Sequence, residues 1–270
     1  MNFAWGERTF VMGVVNVTPD SFSDGGAFSD ASGAIDHALA LIDQGADLLD
    51  IGGESTRPGA AEVSASEELD RVLPVLEALR RAAPQVPLSI DTMKASVAKE
   101  AIAAGAVLVN DVTGLRDPAM ASLVRSTEVS ACLMHSRGTP QTMQGLVSYV
   151  DVVAEVMAFL RAAIETSGVD RAKLLIDPGI GFAKTLDHNL SLLKHLSAFR
   201  SLGCPILLGT SRKGFLGTLS GVKNAKERLI PSIASIAHAA AQGSVDVVRV
   251  HDVAATKQAL SVADAIRHAH

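Results

Sequence analysis

The stretch that decides the fold is PLSIDTMKASVAKEAIAAGAVLVNDV, residues 87–112. Its two ends, PLSID and VLVNDV, are short apolar runs that carry an acid or an amide near their last residue, and the segment between them ends at Gly105. A glycine directly after the last helical turn can adopt the left-handed conformation without a Cβ clash. The stretch therefore predicts a strand, a helix and a second strand, which is the repeating unit of α/β folds.

The same unit recurs along the whole chain. Apolar residues spaced i, i+3, i+4 and i+7 predict helices between the strands, as in the set Ile35, Ala38, Leu39 and Ile42. Strand-like apolar runs occupy residues 9–17, 47–53, 87–91, 107–112, 130–135, 174–179, 205–211 and 246–251. The glycines that would end the preceding helices are Gly45, Gly105, Gly168, Gly203 and Gly243.

The strands are apolar almost throughout, which is typical of a parallel sheet covered by helices on its faces. Eight such units in 270 residues predict an α/β fold, a (β/α)8 TIM barrel, with a single domain over residues 1–270. An open doubly wound sheet is the alternative, but no G-x-G-x-x-G pattern follows the first strand.

One segment, NAKERLIPSIASI, combines conflicting helix signals. Asn224 and Glu227 form a capping-box pattern, but Pro231 would then fall too deep for an uninterrupted helix. We therefore expect a short turn followed by a main helix from about residue 231.

Composition and charge indicate which classes of partner and which cellular compartment to expect. The net charge is -5 and no long basic run occurs, so nucleic acid is not an expected partner. The longest apolar runs are too short to span a membrane, and no membrane partner is expected. Cys132 and Cys204 both lie in apolar runs, which does not indicate a disulfide framework and fits a reducing, cytoplasmic location.

Nearly every predicted strand ends with a polar or charged residue. These residues are Asn16, Asp50, Asp91, Asn110, His135, Asp177, Ser211, and Arg249 with His251. Any one of these side chains can simply cap a strand or bond a neighbouring backbone group. In a barrel, however, all the strand-to-helix loops share one face, and that face carries the active site. We therefore expect these residues to converge although they are far apart in sequence.

The residue types at this rim suit a flat amino-heterocycle linked to a phosphate. Asp91 and Asp177 are acceptors for two adjacent N–H groups on a planar edge, as on guanine, pterin or a guanidinium. Arg249 and His251 on the last strand suit phosphate oxygens, and barrels often hold anions there.

Two long loops, residues 18–29 and 54–65, are rich in Gly, Pro, Ser and Asp. Such loops are usually solvent segments, but at the functional rim they are also candidate lids, with Phe22 and Pro58 as a wall for an aromatic partner. No nucleophile motif or zinc spacing is present, and His135 is as readily a structural histidine as a base.

Eight motifs, in order, resemble those of the bacterial dihydropteroate synthase family: NVTPDSFSDGG, GGESTRPG, IDT, NDV, MHSRGTPQTMQ, DPGIGFAK, TSRK and RVHDV. They run from residue 16 to residue 253. The resemblance implies a (β/α)8 barrel that joins 4-aminobenzoate to 6-hydroxymethyl-7,8-dihydropterin diphosphate, giving 7,8-dihydropteroate and pyrophosphate in folate biosynthesis. It also implies a homodimer and a sulfonamide target.

The resemblance assigns roles residue by residue. The implied pterin-binding residues are Asp91, Asn110, Asp177 and Lys213. The implied diphosphate-binding residues are Asn16, Thr56, Arg57, Arg249 and His251. The implied aminobenzoate-binding residues are Phe22, Thr56, Pro58, Phe182, Ser211 and Lys213. The implied catalytic residues are Lys213, Asp24, Arg249 and His251, and Asn16 is the implied ligand of a Mg²⁺ cofactor.

Two other functions remain open from the sequence. A methyltransferase that uses methyltetrahydrofolate and a corrinoid partner shares the barrel and the Asp/Asn/Asp pterin pocket, but it does not need the two loops or a pyrophosphate site. A non-catalytic homologue that binds pterin or a partner protein is the second. Helix faces near residues 186–197 and 231–242 are apolar enough to pack on a twin, although core burial explains them as well.

Overall fold

The structure, a computed structural model, describes residues 3–18, 27–57, 59–127 and 129–269. Strands and helices alternate through these ranges. The strands are β1 (Phe10–Asn16), β2 (Leu48–Gly52), β3 (Leu88–Asp91), β4 (Leu108–Asp111), β5 (Ser130–Met134), β6 (Leu174–Asp177), β7 (Leu207–Leu208) and β8 (Val247–Val250). The helices are α1 (Ala27–Asp43), α2 (Ala65–Ala82), α3 (Ala95–Ala103), α4 (Pro118–Thr127), α5 (Val152–Ser167), α6 (Leu186–Lys194), α7 (Gly214–Ser220), α8 (Leu229–Ala241) and α9 (Val253–Arg267).

The strands form a closed parallel barrel. Their order is β6-β5-β4-β3-β2-β1-β8-β7, and every neighbouring pair is parallel. A bridge between Ile176 of β6 and Ile206, just before β7, joins the two ends of this order. The prediction of a (β/α)8 barrel is therefore confirmed, and the open doubly wound alternative is wrong.

Two apolar cores lie on opposite sides of the barrel wall. The larger one fills the space between the strands and the surrounding helices, with side chains such as Leu49, Ile51 and Leu76. The smaller one fills the barrel interior near the amino ends of the strands, with the members Phe10, Met12, Leu48, Leu108, Cys132, Leu175, Leu207 and Val247. Because side chains alternate across a strand, the next positions that face the interior lie two residues closer to the carboxyl ends, outside this apolar core, and can carry polar side chains.

The predicted boundaries match closely. All eight predicted strands are present, although β7 shrinks to Leu207–Leu208. The five predicted helix-ending glycines all have φ between 63° and 107°, so each adopts the conformation that a side chain would disfavour.

The conflict around Pro231 resolves as a short turn and then a helix. A 3₁₀ turn spans Ala225–Glu227, and the Asn224 side chain caps it by accepting from the Lys226 N–H. Helix α8 then begins at Leu229, which places Pro231 in its first turn. A proline is tolerated there because the first N–H groups of a helix have no partner inside it.

No helix in the described ranges is long and apolar enough to cross a membrane.

Asp246 secures the seam at which β7 meets β8. Its buried Oδ2 accepts from the Ile206 N–H at 2.7 Å and from Arg200 Nη1 at 2.5 Å.

Asp246→Ala should lower the free energy of unfolding by about 2–4 kcal/mol, because both donors lose their acceptor. Urea denaturation followed by far-UV circular dichroism measures this. Asp70→Ala, at an exposed position of α2, is the control and should change stability by less than about 0.5 kcal/mol. Equal effects of the two substitutions would contradict the role of Asp246.

Candidate active site

The inward positions of the strands change from apolar to polar toward the carboxyl ends. Two residues beyond the interior core members lie Asp50 on β2, Asn110 on β4, Asp177 on β6 and Arg249 on β8. The register places Asn16, Gly52, Asp91 and Asn110 side by side on the first four strands. The predicted convergence of these residues at one end of the barrel follows from the alternation and the register together.

Arg249 ties three strands together inside this polar layer. Its Nε donates to Asp50 Oδ2 at 2.6 Å, and its Nη2 donates to Asp91 Oδ2 at 2.7 Å. Asn110 Nδ2 donates to the same Asp50 oxygen at 2.9 Å. Arg249 was predicted as a diphosphate anchor, and two of its five N–H groups are engaged by these carboxylates. No other acceptor for Arg249 is found among the residues that the structure describes, which leaves the remaining N–H groups open to an anion.

Each of these two acids keeps one unpartnered oxygen. Asp50 Oδ1 and Asp91 Oδ1 are buried and accept no hydrogen bond from any residue that the structure describes. Burial raises the pKa of Asp91 to about 7, against the opposing attraction of Arg249. Unmet acceptors in a buried position are costly unless a ligand brings donors to them.

Asp177 and Lys213 form the opposite side of the site. Asp177 Oδ1 accepts from the Gly179 N–H at 2.7 Å. Burial raises the pKa of Asp177, and the positive charge of Lys213 is the largest opposing influence. Lys213 Nζ donates to the Ile180 carbonyl and lies 4.8 Å from the centre of the Phe182 ring, while burial lowers its pKa to about 8. A cationic donor therefore stands between an acid and an aromatic face.

His251 is a neutral hydrogen-bonding group in this structure. Its Nδ1 lies 3.0 Å from Ser211 Oγ, and the same oxygen accepts from the His251 N–H at 3.2 Å. Burial lowers the pKa of His251 to about 3, helped by the charges of Arg249, Arg212 and Arg57. If Ser211 donates to Nδ1, the proton of the neutral ring sits on Nε2, where it suits a phosphate oxygen. The charge of Arg57 therefore lies within electrostatic reach of His251, which follows β8.

The 54–65 loop is fastened at its base. Glu54 Oε1 accepts from the Val63 N–H at 3.0 Å, which joins the two ends of the loop. Lys94 Nζ binds Glu54 Oε2 at 2.5 Å and the buried Glu68 Oε2 at 2.7 Å. Thr56 is half-buried and Arg57 is exposed on the span between these anchors.

The donor set fits a magnesium ion only if the substrate supplies most of its ligands. The described residues contain no group of three or more His, Cys, Asp or Glu side chains arranged to hold a metal. Asn16, half-buried at the end of β1, offers one amide oxygen. Mg²⁺ is commonly held by one or two protein oxygens together with substrate phosphates and waters, and Asn16 would be the protein ligand in such an arrangement.

Three predicted site residues, Phe22, Asp24 and Pro58, lie outside the described residues. Asp50 is among the strand-ending residues expected to converge, but no binding role was assigned to it from the sequence. Its contacts with Arg249 and Asn110 were not readable from that pattern. His135, left open as a base or a structural residue, is buried and its Nδ1 lies 3.0 Å from Lys184 Nζ.

A family model described as pterin binding enzyme matches residues 12–251. The chain belongs to the pterin-binding enzyme family. A dihydropteroate synthase of Synechocystis sp. is 46% identical to it over 268 residues, which cover 98% of this chain and 92% of the relative.

Two solved structures of this pterin-binding family are close in fold as well as in sequence. The dihydropteroate synthase of Clostridium difficile, in the presence of pteroic acid, is 43% identical with a TM-score of 0.93, covering 99% of this chain and 100% of that one. The dihydropteroate synthase of Xanthomonas albilineans, with 4-aminobenzoic acid, is 47% identical with a TM-score of 0.92, covering 98% and 95%. These relatives are synthases, which favours that branch of the family over the methyltransferase.

The raised pKa of Asp91 gives this pterin-binding enzyme a pH-dependent stability. Between pH 4 and pH 7 the unfolded chain has already lost the proton that the folded Asp91 keeps, so stability falls as pH rises. Relative to Asp91→Asn, the wild-type chain should lose roughly 1 to 4 kcal/mol of unfolding free energy across this window. Urea titrations at several pH values measure the difference, and parallel pH profiles of the two proteins would contradict it.

Proposed function

We propose that this protein is a dihydropteroate synthase that condenses 6-hydroxymethyl-7,8-dihydropterin diphosphate with 4-aminobenzoate, giving 7,8-dihydropteroate and pyrophosphate. The observation that carries this proposal is the cluster of buried acids around Arg249, in which Asp50 and Asp91 keep unmet acceptor oxygens. A pterin ring carries several adjacent N–H donors on one planar edge, which is the chemistry that such a cluster lacks.

The ring binds between the two sides of the site. Asp177 accepts from the 2-amino group and the neighbouring ring N–H, since only its Oδ1 is engaged by a described residue, Gly179. Asp91 and Asn110 meet the ring from β3 and β4, and Lys213 donates to an acceptor atom of the ring from the side of Asp177. The substrate thus supplies the donors that the buried carboxylates need.

The diphosphate leaves toward β8. The C–O bond at the pterin methylene breaks, and the ring delocalises the positive charge that develops there. The free N–H groups of Arg249, the Nε2–H of His251 and the Arg57 guanidinium stabilise the departing pyrophosphate. Asn16 would hold a magnesium ion, which when bound would supply further positive charge to offset the negative charge of the leaving group.

The amine of 4-aminobenzoate then attacks the methylene carbon, forms the C–N bond and loses one proton to solvent. Phe182 offers an aromatic face beside Lys213, and Ser211 lies in the turn after β7 next to His251. Thr56 approaches from the 54–65 loop, and by resemblance Phe22 and Pro58 complete the pocket while Asp24 acts near the amine. The enzyme forms no covalent bond with either substrate, so its residues act by positioning and by charge.

The protein acts as a cytoplasmic homodimer in this proposal. A cavity of about 490 Å³ lies between α6, α7 and α8 and is lined by side chains such as Leu193 and Phe215. Nearby, Leu219 and Ile230 are 53% and 80% exposed. A second copy of the chain would cover this apolar surface.

Pyrophosphate release tests the function directly. The protein, magnesium and the pterin diphosphate are incubated with and without 4-aminobenzoate, and pyrophosphate and 7,8-dihydropteroate are quantified. With both substrates present we expect the two products in equal amounts. Failure to release pyrophosphate, or release that never yields dihydropteroate, would contradict the proposal.

Asp177→Asn tests the assignment of the ring-binding acid. The amide keeps one acceptor for Gly179 but faces a ring N–H with its own NH₂ group. The Kd for pterin diphosphate should rise by roughly 5- to 150-fold, corresponding to about 1–3 kcal/mol. Titration calorimetry measures it, with Asp187→Asn on the exposed start of α6 as the control that leaves the Kd unchanged. An unaltered Kd in Asp177→Asn would refute the assignment.

A further inference from the structure

Lys184 is buried beneath the loop that follows β6. Only 5% of its surface is exposed, although it carries an amino group. Its Nζ donates to the Phe182 carbonyl at 2.9 Å and lies 3.0 Å from Nδ1 of His135, which follows β5. A buried ammonium group requires acceptors, and both of these belong to segments beside the proposed pterin site.

The loop of residues 178–183 wraps closely around this lysine. A Cβ at Gly179 would lie 1.9 Å from the His135 carbonyl and 3.4 Å from Lys184 Nζ, so only glycine fits there. The His135 N–H donates to the Asp177 carbonyl at 3.0 Å. The backbone of the loop is therefore fitted to His135 on one side and to Lys184 on the other.

The end of the loop is held in an unusual conformation. Ala183 has φ of 49°, which residues other than glycine rarely adopt, and it needs support from its surroundings. Its carbonyl accepts from the Tyr149 hydroxyl at 3.0 Å. The next residue along the chain is Lys184 itself, and its bond to Phe182 closes the loop from below.

The charges agree with this geometry. Burial lowers the pKa of His135 to about 3, and the neutral ring, with Nδ1 at 3.0 Å from Lys184 Nζ, can accept from the lysine amino group. Burial lowers the pKa of Lys184 to about 7, and the attraction of Asp177 is the largest influence that opposes this. In its charged form Lys184 also lowers the pKa of Asp177, as Lys213 does.

We propose that Lys184 is a positioning residue, which with His135 as its acceptor holds the 178–183 loop in the shape that presents Asp177 and Phe182 to the substrates. It differs from Lys213, which we place in contact with the ring. This inference rests on the proposed function, because it takes Asp177 to be the acceptor for the pterin.

Lys184→Met removes the amino group while keeping the length of the side chain. Titration calorimetry with pterin diphosphate and magnesium should give a Kd about tenfold higher than that of the wild type. The KM for the pterin substrate should rise similarly, while kcat at saturation stays within about twofold because Lys184 touches no reacting atom. Lys99→Met, on the exposed face of α3, is the matched control and should leave both constants unchanged.

The outcomes separate the two proposals. If the wild-type protein does not bind pterin diphosphate, the proposed function fails. If the wild type binds and Lys184→Met binds equally well, or loses kcat without a change in Kd, the role of Lys184 is overturned and the proposed function stands.

Variants of His135 test the same pair without touching the lysine. His135→Asn keeps an acceptor oxygen near the place of Nδ1 and should bind pterin diphosphate within about threefold of the wild type. His135→Leu lacks the acceptor and should weaken binding about tenfold, and adding Lys184→Met to it should weaken binding little further. Strictly additive losses, or equal binding by the Asn and Leu variants, would overturn the proposal. Should Lys184→Met fail to fold, as judged by its melting temperature, the Asn and Leu comparison decides alone.

Discussion

The bridge from Arg249 to Asp50 and Asp91 is the interaction on which the site depends. It joins β8 to β2 and β3 across the barrel interior, with bonds of 2.6 and 2.7 Å. Removing the cation would leave two buried acids without their shared partner, at a cost of several kcal/mol. With it present, each acid keeps one oxygen for a ligand, and Arg249 keeps donors for an anion. In the proposed function, this single side chain serves both halves of the substrate, the donor-rich ring at one end and the diphosphate at the other.

The barrel turns a simple strand pattern into this site. Inward positions are apolar near the amino ends, where Leu48, Leu108 and Val247 pack together, and polar two residues later. The buried apolar layer keeps water away from the polar layer on that side, and the low dielectric there strengthens the interactions between its charges. The loops after the strands then supply the groups that approach from outside, including Arg57 near His251. Stability and chemistry therefore occupy consecutive layers of the same eight strands.

Much of this arrangement was predictable because it depends on local rules. Apolar runs and helix-ending glycines predicted the eight strands, and strand-ending polar residues predicted the rim. The capping pattern at Asn224 and the position of Pro231 predicted the short turn and the helix that follows it. The bridge was not predictable, because Arg249 and Asp50 are 199 residues apart and their contact depends on the register of a closed barrel. The contact between Lys184 and His135 was not predictable either, because no sequence pattern around these two residues indicates that they pair. Asp50 therefore appeared only as one strand-ending acid among several.

The most direct test is a crystal structure of the protein with pterin diphosphate, magnesium and a 4-aminobenzoate analogue. We expect the ring to lie between Asp91 and Asp177, with its N–H groups within about 3 Å of their carboxylate oxygens and the diphosphate against Arg249 and His251. A ring bound elsewhere on the protein, or one that leaves both carboxylates without a new donor, would contradict the claim that the buried acids exist to hold it.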